Sequence, residues 1–304
     1  GAAGTTNISI IPWVFGGSTP AATIQSFVTF DANGLRPLNT VTEYVTNITD
    51  GSSSSANVML ASGTTNTINS PTTVNALFTA YSDSATTLNG TGTLTITSGS
   101  IVLHAGNGVA SVYPQLNFGS AQGIIGCTKG KASRIYGGIA GSGGVVFFQP
   151  SQSADRWSSG TGVEIDGPST YTGDTFIHGR ADFQPNVLPF GDRIGDVYLY
   201  GVSILKGSMT VNGLNGNGDL VRANSGAATL NIGDNNATSS FGGSIYDFGP
   251  LSINKIGSGT QTLSGTNSEY IGATSVRGGS LSVVSVNSAL GTGSLYSCSS
   301  LGAP

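Results

Sequence analysis

The side chains that could carry acid–base chemistry collect in one part of the sequence. Ten of the chain's 15 acidic and 11 basic residues lie between Asp155 and Asp196. Glycoside cleavage needs two carboxyl groups that flank the scissile bond, one as acid and one as base or nucleophile. An enzyme of this kind would draw on the following side chains: Asp166, Asp174, Asp182, His178 and Arg180.

These candidates form no specific motif. Single acids beside glycines are common in turns, where the carboxylate accepts backbone N–H groups. The two histidines, His104 and His178, are too far apart in sequence to predict a metal site, and Asp234 fits an Asx turn better than a calcium loop. Nucleophile elbows, P-loops and dinucleotide motifs have no clear counterpart. We therefore assign no catalytic, cofactor-binding or metal-ligating residue and expect a non-enzymatic protein, with a polysaccharide-active enzyme as the alternative.

The surrounding sequence consists of short strand-like runs. Across residues 252–295, apolar and hydroxyl residues alternate over a few positions, and each run breaks at Gly or Asn. This period of two indicates β-strands separated by turns. No helical pattern is long enough to cross back over a sheet, and a single short helix at 74–81 is the one we allow. The pattern predicts an all-β chain that coils into stacked rungs, a β-solenoid with one elongated body.

Composition supports a folded protein. The chain has 47 glycines, 38% hydrophobic residues, 9% charged residues and a net charge of −4, which is unlike the composition of a disordered chain. The sequence pI is about 4.9, and the densest basic patch is only Lys129, Lys131 and Arg134, so we expect no nucleic-acid partner. The apolar runs are strand-sized, and we expect no membrane-spanning segment.

Four pieces in the C-terminal part carry a family resemblance. Residues 253–260, 263–267, 270–274 and 278–281 follow one another in the order of the autotransporter-associated β-strand repeat, and the segment resembles that repeat. The family, also called the passenger-associated transport repeat, occurs in passenger regions of very large secreted bacterial proteins. The resemblance implies a right-handed parallel β-helix outside the cell. It implies no catalytic residue, because the motif is itself structural.

A second copy of this motif lies upstream. Tyr171, Gly173, Thr175 and Gly179 recur 99 positions later as Tyr270, Gly272, Thr274 and Gly278. Ile271 stands where the earlier copy has Thr172, so the hydroxyl at that position is not indispensable. Residues 11–13, 32–38 and 43–44 also resemble a segment that often accompanies these repeats. We interpret residues 1–304 as a single parallel β-helix: N-terminal rungs at 1–45, irregular Ser/Thr/Asn-rich rungs at 46–89 and regular rungs at 90–304, with repeat copies near 160–191 and 251–295.

The ends of such a stack suggest a function. An unpaired β edge is either capped or used, and neither terminus of the sequence offers a convincing cap. We therefore predict head-to-tail self-association into a polymer, as a section of an extracellular or cell-surface filament, sheath or stalk. Any secretory signal has been removed or lies outside the sequence.

Two further features leave alternatives open. A carbohydrate-binding adhesin would stack sugars on exposed aromatic rings, and buried aromatic ladders are the competing interpretation of the same residues: Tyr113, Trp157, Tyr198, Tyr200 and Tyr270. Cys127 and Cys298 are predicted to be buried small apolar residues, although an intermolecular disulfide through Cys298 stays possible.

Overall fold

The protein consists of short β-strands joined by turns. The computed structural model describes residues 1–17, 24–32, 34–80, 84–104, 108–127, 133–149, 162–184, 194–284, 292 and 294–297. These ranges contain no helix, and hence none that is long and apolar enough to cross a membrane. The chain divides into two compact units, 1–167 and 168–304, and in each unit parallel sheets stack as a β-solenoid, which confirms the predicted fold class.

The strands of the first unit are β1 (Phe15–Gly16), β2 (Ser26–Asp31), β3 (Gly34–Pro37), β4 (Asn57–Leu60), β5 (Thr65–Thr67), β6 (Thr72–Val74), β7 (Ala76–Thr79), β8 (Thr86–Asn89), β9 (Thr93–Ile96), β10 (Ser100–Leu103), β11 (Ala110–Val112), β12 (Gln115–Asn117), β13 (Gly123–Cys127), β14 (Ser133–Ile135), β15 (Ile139–Ala140), β16 (Val145–Phe148) and β17 (Val163–Ile165). Strands β1, β2 and β3 form an antiparallel sheet. The others form three parallel sheets, with the orders β4-β7-β10-β13-β16, β5-β8-β11-β14-β17 and β6-β9-β12-β15.

The strands of the second unit are β18 (Thr175–Ile177), β19 (Arg180–Phe183), β20 (Val197–Leu199), β21 (Val202–Leu205), β22 (Met209–Val211), β23 (Leu214–Gly216), β24 (Asp219–Arg222), β25 (Ala228–Ile232), β26 (Ser239–Phe241), β27 (Ser244–Asp247), β28 (Leu251–Lys255), β29 (Thr260–Leu263), β30 (Thr274–Val276), β31 (Ser280–Val283) and β32 (Leu295–Ser297). Their parallel sheets have the orders β18-β20-β23-β26-β29-β31, β19-β21-β24-β27 and β22-β25-β28-β30-β32. Consecutive strands of the chain therefore belong to different sheets, and a sheet gains a strand when a later turn of the solenoid returns to it.

The core consists of apolar side chains stacked from one turn to the next. Each residue of the following column pairs with the one after it, and all are buried: Val58, Leu77, Ile101, Ile125 and Phe147. Parallel strands rise about 4.8 Å per turn, so each side chain contacts its counterparts above and below. Burying a side chain of this size stabilises the fold by about 1.5–3 kcal/mol. The stability of each turn therefore depends on its neighbours.

The segment at 74–81 corrects the expectation of a possible helix. Val74 ends β6, Ala76–Thr79 form β7, and Tyr81 lies outside the described ranges. All four side chains of β7 are buried. Leu77 faces the core, whereas Phe78 is covered from outside by the N-terminal residues. A strand buried on both faces has a continuous apolar run, and periodicity alone does not distinguish such a run from a buried helical turn.

The N-terminal residues differ from the expected rungs at 1–45. Strands β1 to β3 form their antiparallel sheet against the outer side of the parallel sheet that contains β7, β10 and β16. Phe27 meets Phe78 edge-on at 5.6 Å between ring centroids, and Phe15 stacks on Phe148 at 4.7 Å. Val102 on β10 belongs to the same buried cluster. This N-terminal sheet therefore keeps water from an apolar outer surface that the solenoid alone would expose.

One buried carboxylate ties this N-terminal segment together. Glu43 accepts hydrogen bonds from both terminal nitrogens of Arg36 at 2.8 Å and from the backbone N–H groups of Gly4 and Asn39 at 2.7 Å. Arg36 also pairs with Asp31 at 2.6 Å. The hydrogen bonds from Arg36 and the two N–H groups lower the pKa of Glu43 from its ordinary 4.5 to about 2, despite the opposing effect of burial.

Residues 44–54 lie against the first parallel turn, which is formed by β4, β5 and β6. Isolated parallel bridges join Val45 to Val58 and Ser53 to Thr73. Asp50 accepts the N–H groups of Asn69 and Ser70 through one carboxylate oxygen. These contacts are made mostly by backbone and by short polar side chains, so no apolar pattern in the sequence reveals them.

Acid should therefore weaken the N-terminal sheet through Glu43. A carboxylate with a lowered folded-state pKa stabilises the protein above its unfolded pKa, and this contribution is lost as pH falls from about 4.5 toward 2. We expect Glu43→Gln to lower the melting temperature at pH 7 and to flatten its decline across that acid window, measured by thermal denaturation at stepped pH. Glu269→Gln, at an exposed carboxylate, is the control. An unchanged acid slope in Glu43→Gln would contradict this role.

Candidate functional site

The carboxylates considered for an enzyme do not converge in the second unit. Asp174 precedes β18, whereas Asp182 lies on β19 in a different sheet. Asp182 is buried and pairs with Arg180 at 2.9 Å, and Lys206 lies 3.9 Å from its other oxygen. These ion pairs hold Asp182 as a structural anion rather than as an acid that meets Asp174 across a substrate.

Of the other charged residues in this segment, some lie in the first unit and some lie outside the described residues. Asp166 follows β17 in the first unit. Asp155, Arg156, Asp192 and Arg193 lie outside the described residues, as do Lys129 and Lys131 of the small basic patch. Among the residues that the structure describes, no group of three or more His, Cys, Asp or Glu side chains could hold a metal ion.

The two histidines have different surroundings. His104 is buried, its ring meets Phe78 edge-on at 6.2 Å, and burial lowers its pKa to about 4, so it is neutral at pH 7. His178 is exposed and lies parallel to the ring of Tyr200. Cys127 is buried, as predicted, and Cys298 lies outside the described residues.

The aromatic side chains separate into buried and exposed sets. Tyr270 is fully buried, and Trp157 is outside the described ranges. Tyr113 is partly exposed and stacks on Tyr136 with ring centroids 4.4 Å apart. Tyr198 and Tyr200 lie on the outer side of β20 and the residue after it, and Tyr200 is 46% exposed. Tyr270 is therefore part of the buried set, whereas Tyr113 and Tyr200 have exposed rings.

Tyr198 and Tyr200 belong to an outward-facing group on two consecutive turns. We call this group the aromatic step, and its members are Asp174, Phe176, His178, Asp196, Tyr198 and Tyr200. Phe176 stacks on Tyr198 at 4.8 Å with an interplanar angle of 15°, and His178 stacks on Tyr200 at 5.0 Å and 14°. The side chains alternate with the buried Thr175 and Ile177 of β18, so the period of two places them outside.

The two carboxylates of the aromatic step link three turns. Asp174 accepts the backbone N–H of Asp196 at 2.8 Å, and Asp196 accepts that of Gly213 at 2.9 Å. The other oxygen of Asp196 accepts the side-chain amide of Asn215 at 3.4 Å. Burial, followed by the negative charges of Asp174 and Asp196, raises the pKa of Tyr198, so its hydroxyl is protonated at pH 7.

Small polar residues continue the outer face beyond the rings. Tyr198 pairs with Asn215 on the next turn, and Ser240 donates its backbone N–H to the Asn215 side chain at 3.1 Å. Thr262 and Ser282 follow in register with Ser240. The face therefore presents aromatic rings on two turns and hydrogen-bonding side chains on the turns beyond them.

The two copies of the sequence motif share one internal contact. The hydroxyl groups of Tyr171 and Thr175 are 2.6 Å apart, and those of Tyr270 and Thr274 are also 2.6 Å apart. Both tyrosines are buried, and burial raises the pKa of Tyr270 to about 12. Ile271 is 57% exposed, which explains why a side chain without a hydroxyl is tolerated there.

The glycine between Tyr270 and Thr274 serves close packing. A Cβ atom at Gly272 would lie 2.2 Å from the carbonyl oxygen of Leu251 on the preceding turn. Any side chain at this position would push two turns of the solenoid apart. The Tyr-x-Gly-x-Thr spacing thus combines a buried hydroxyl pair with close backbone contact.

The sequence did not reveal the role of Lys255. It is buried in an otherwise apolar column, between Ile232 and Val276. Its ammonium donates to the carbonyl oxygens of Ile256, Gly257 and Gly278, the last two at 3.0 and 3.3 Å. The desolvation that accompanies burial lowers its pKa. The long cationic side chain therefore provides hydrogen bonds to carbonyl groups where the chain turns. From its stacked apolar neighbours alone, an aliphatic residue would be expected at this position.

Residues 253–283 match the passenger-associated-transport-repeat family. The match includes Lys255, Gly272 and the Tyr270–Thr274 pair, and it confirms the resemblance inferred from the sequence. No curated protein and no solved structure matches the chain. Within the matched segment, Gly272 and Lys255 contact neighbouring turns, whereas the Tyr270–Thr274 hydroxyl pair lies within one turn.

The Tyr–Thr contact predicts a measurable coupling. Thr274→Val should lower the free energy of unfolding by about 1–3 kcal/mol, because it leaves the buried hydroxyl of Tyr270 without this partner. Tyr270→Phe should cost a similar amount, and the double variant should cost less than the sum of the two. Urea denaturation of the four proteins measures the coupling.

Thr175→Val should reproduce the single effect in the earlier copy, whereas Thr262→Val, on the outer face of β29, should change stability by no more than about 0.5 kcal/mol. Additive effects of Thr274→Val and Tyr270→Phe would mean that the hydroxyl pair contributes nothing of its own.

Proposed function

We propose that the chain is a non-enzymatic structural section of a bacterial extracellular surface protein, and that its copies associate head to tail into a filament, sheath or stalk. The match to a passenger-associated repeat supports an extracellular or cell-surface location. The parallel solenoid supports a structural role, because its repeating contacts lie between turns. The observation that carries the proposed assembly is the partial exposure of apolar side chains on β31.

Among the residues that the structure describes, β31 is the outermost strand of its sheet, and its apolar side chains at core positions are partly uncovered. Leu281 pairs with Gln261 and Val283 pairs with Leu263 on the preceding turn. Gln261 and Leu263 are buried, whereas Leu281 and Val283 are half-buried. An edge strand also presents N–H and C=O groups on its outer side. A further layer placed on β31 would bury these apolar side chains and pair these backbone groups.

The opposite face of such a contact would be the first turn of the next copy. The bridges of residues 45–54 to β4 and β6 are isolated rather than part of a continuous strand, and the side chains of this segment are mostly short and polar. A parallel strand laid against this segment would continue the direction of the stack. A contact between two different surfaces does not close on itself, so repetition gives an open fibre.

The enzyme alternative has less support. Glycoside cleavage needs two carboxyl groups about 5–9.5 Å apart on either side of one bond. Asp174 and Asp182 lie on different sheets, and Asp182 is engaged by Arg180. Asp174 and Asp196 lie on neighbouring turns of one outer face, and each already accepts a backbone N–H group.

The proposal predicts that a charge at the edge of β31 prevents association. Val283→Lys places an ammonium where the next layer would pack, and unpaired buried charge opposes assembly. We expect wild-type protein to form concentration-dependent oligomers in sedimentation velocity and filaments in negative-stain electron microscopy. Val283→Lys should remain monomeric with an unchanged circular dichroism spectrum.

Val284→Lys is the matched control, since this neighbouring valine is 68% exposed and its substitution adds the same charge outside the edge. It should assemble like the wild type. Monomeric wild-type protein at every concentration, or equal loss of assembly in both variants, would overturn the proposed contact.

A further inference from the structure

We infer that the aromatic step, together with the polar turn that follows it, binds a neutral polysaccharide chain. The ligand would rest against Tyr198 and Tyr200 and over Asn215 and Asn217. This binding site is independent of the proposed assembly, because it uses the outer face of β20 and β23 rather than the edge of β31.

Aromatic neighbours cover the rings of Tyr198 and Tyr200 on one side, the side that faces the preceding turn. Phe176 and His178 stack on the rings from the preceding turn. On the following turn, the register partner of Tyr198 is Asn215, whose side chain is shorter than a phenol ring. The outer part of the Tyr198 ring therefore stands above its neighbour as a vertical wall, and the 46% exposure of Tyr200 shows that its ring is open as well.

The floor beside this wall is low and polar. Gly216 pairs with the buried Leu199 and is therefore in the inward register, so the outward positions of this turn are Asn215 and Asn217. Asn217 is exposed and continues the row of Tyr200, and Ser240 is exposed on the next turn. A pyranose ring has an apolar C–H face and a rim of hydroxyl groups. Those two surfaces suit an aromatic wall and an amide and hydroxyl floor.

The charges of this face select against other ligands. The charged outward residues of β18, β20 and β23 and their flanking positions are Asp174 and Asp196. Two carboxylates repel an acidic polysaccharide. They are also poor anchors for a basic peptide, because they already accept hydrogen bonds from Asp196 N–H, Gly213 N–H and the Asn215 amide. A neutral chain of hydroxyl groups meets neither obstacle.

A second aromatic stack in the chain provides a matched control. Tyr113 in the first unit is 43% exposed and stacks on Tyr136, much as Tyr200 stacks on His178. There, Arg134 donates to the Tyr136 hydroxyl at 3.2 Å and pairs with Glu164 at 2.8 Å, so the stack is part of a charged surface. Tyr113→Ala therefore removes a comparable exposed ring without touching the proposed site.

The test is isothermal titration of the whole chain with three neutral probes, cellohexaose, xylohexaose and mannohexaose, and with polygalacturonate and an oligolysine peptide. We expect at least one neutral probe to bind, with affinity lowered at least tenfold by the Tyr198→Ala/Tyr200→Ala double variant and unchanged by Tyr113→Ala. Asn217→Tyr should extend the stack, fill the floor and also weaken binding at least tenfold, without loss of thermal stability.

Three results would overturn the inference. One is the absence of binding by all three neutral probes. Another is binding that the double variant and Asn217→Tyr leave unchanged. The third is binding of polygalacturonate or oligolysine alone, which would identify an electrostatic surface. If the double variant fails to fold, Asn217→Tyr decides, because it removes no existing ring contact.

Discussion

The structure depends on inward side chains that lie directly above one another in parallel register. Ile101 lies between Leu77 and Ile125, and the same relation recurs in the second unit, where Leu230 lies between Met209 and Ile253. A single turn buries little of its own surface, so each turn is stable only in contact with the next. This constraint explains why residues of the matched repeat, such as Gly272 and Lys255, serve contacts between turns.

Because the interior is used for stacking, the outer faces and the edges are left for interaction with other molecules. The first unit covers one apolar outer face with its own N-terminal sheet, through Phe15 and Phe27. In the second unit the aromatic step stays partly exposed, and β31 leaves Leu281 and Val283 half-buried. The protected surface is therefore one whose apolar side chains are buried. The open surfaces are those that keep exposed aromatic rings or a strand edge. The proposed assembly and the inferred glycan site each use one of the open surfaces.

The sequence predicts the β-solenoid well because a period of two, interrupted by Gly and Asn, is a local pattern. Recognition of Lys255, Tyr270 and Thr274 as repeat residues also follows from local order. The N-terminal sheet was missed because its partner, the outer side of β7 and β10, is distant in sequence and Phe78 gives no sign of which face is covered. The aromatic step could be foreseen only in part. Tyr198 and Tyr200 can be recognised in the sequence as a pair with a spacing of two. Their stacking on Phe176 and His178 depends on a strand register that pairs residues 22 positions apart.

Hydrogen–deuterium exchange at rising protein concentration tests most directly whether the open edge joins one solenoid to the next. The account predicts that amide protection of residues 280–283 increases as oligomers form, together with that of residues 45–54, while amides of the interior strand β13 keep the same protection. If both segments exchange at the same rate in dilute and concentrated protein, the edge is not an assembly surface. The head-to-tail contact would then be contradicted.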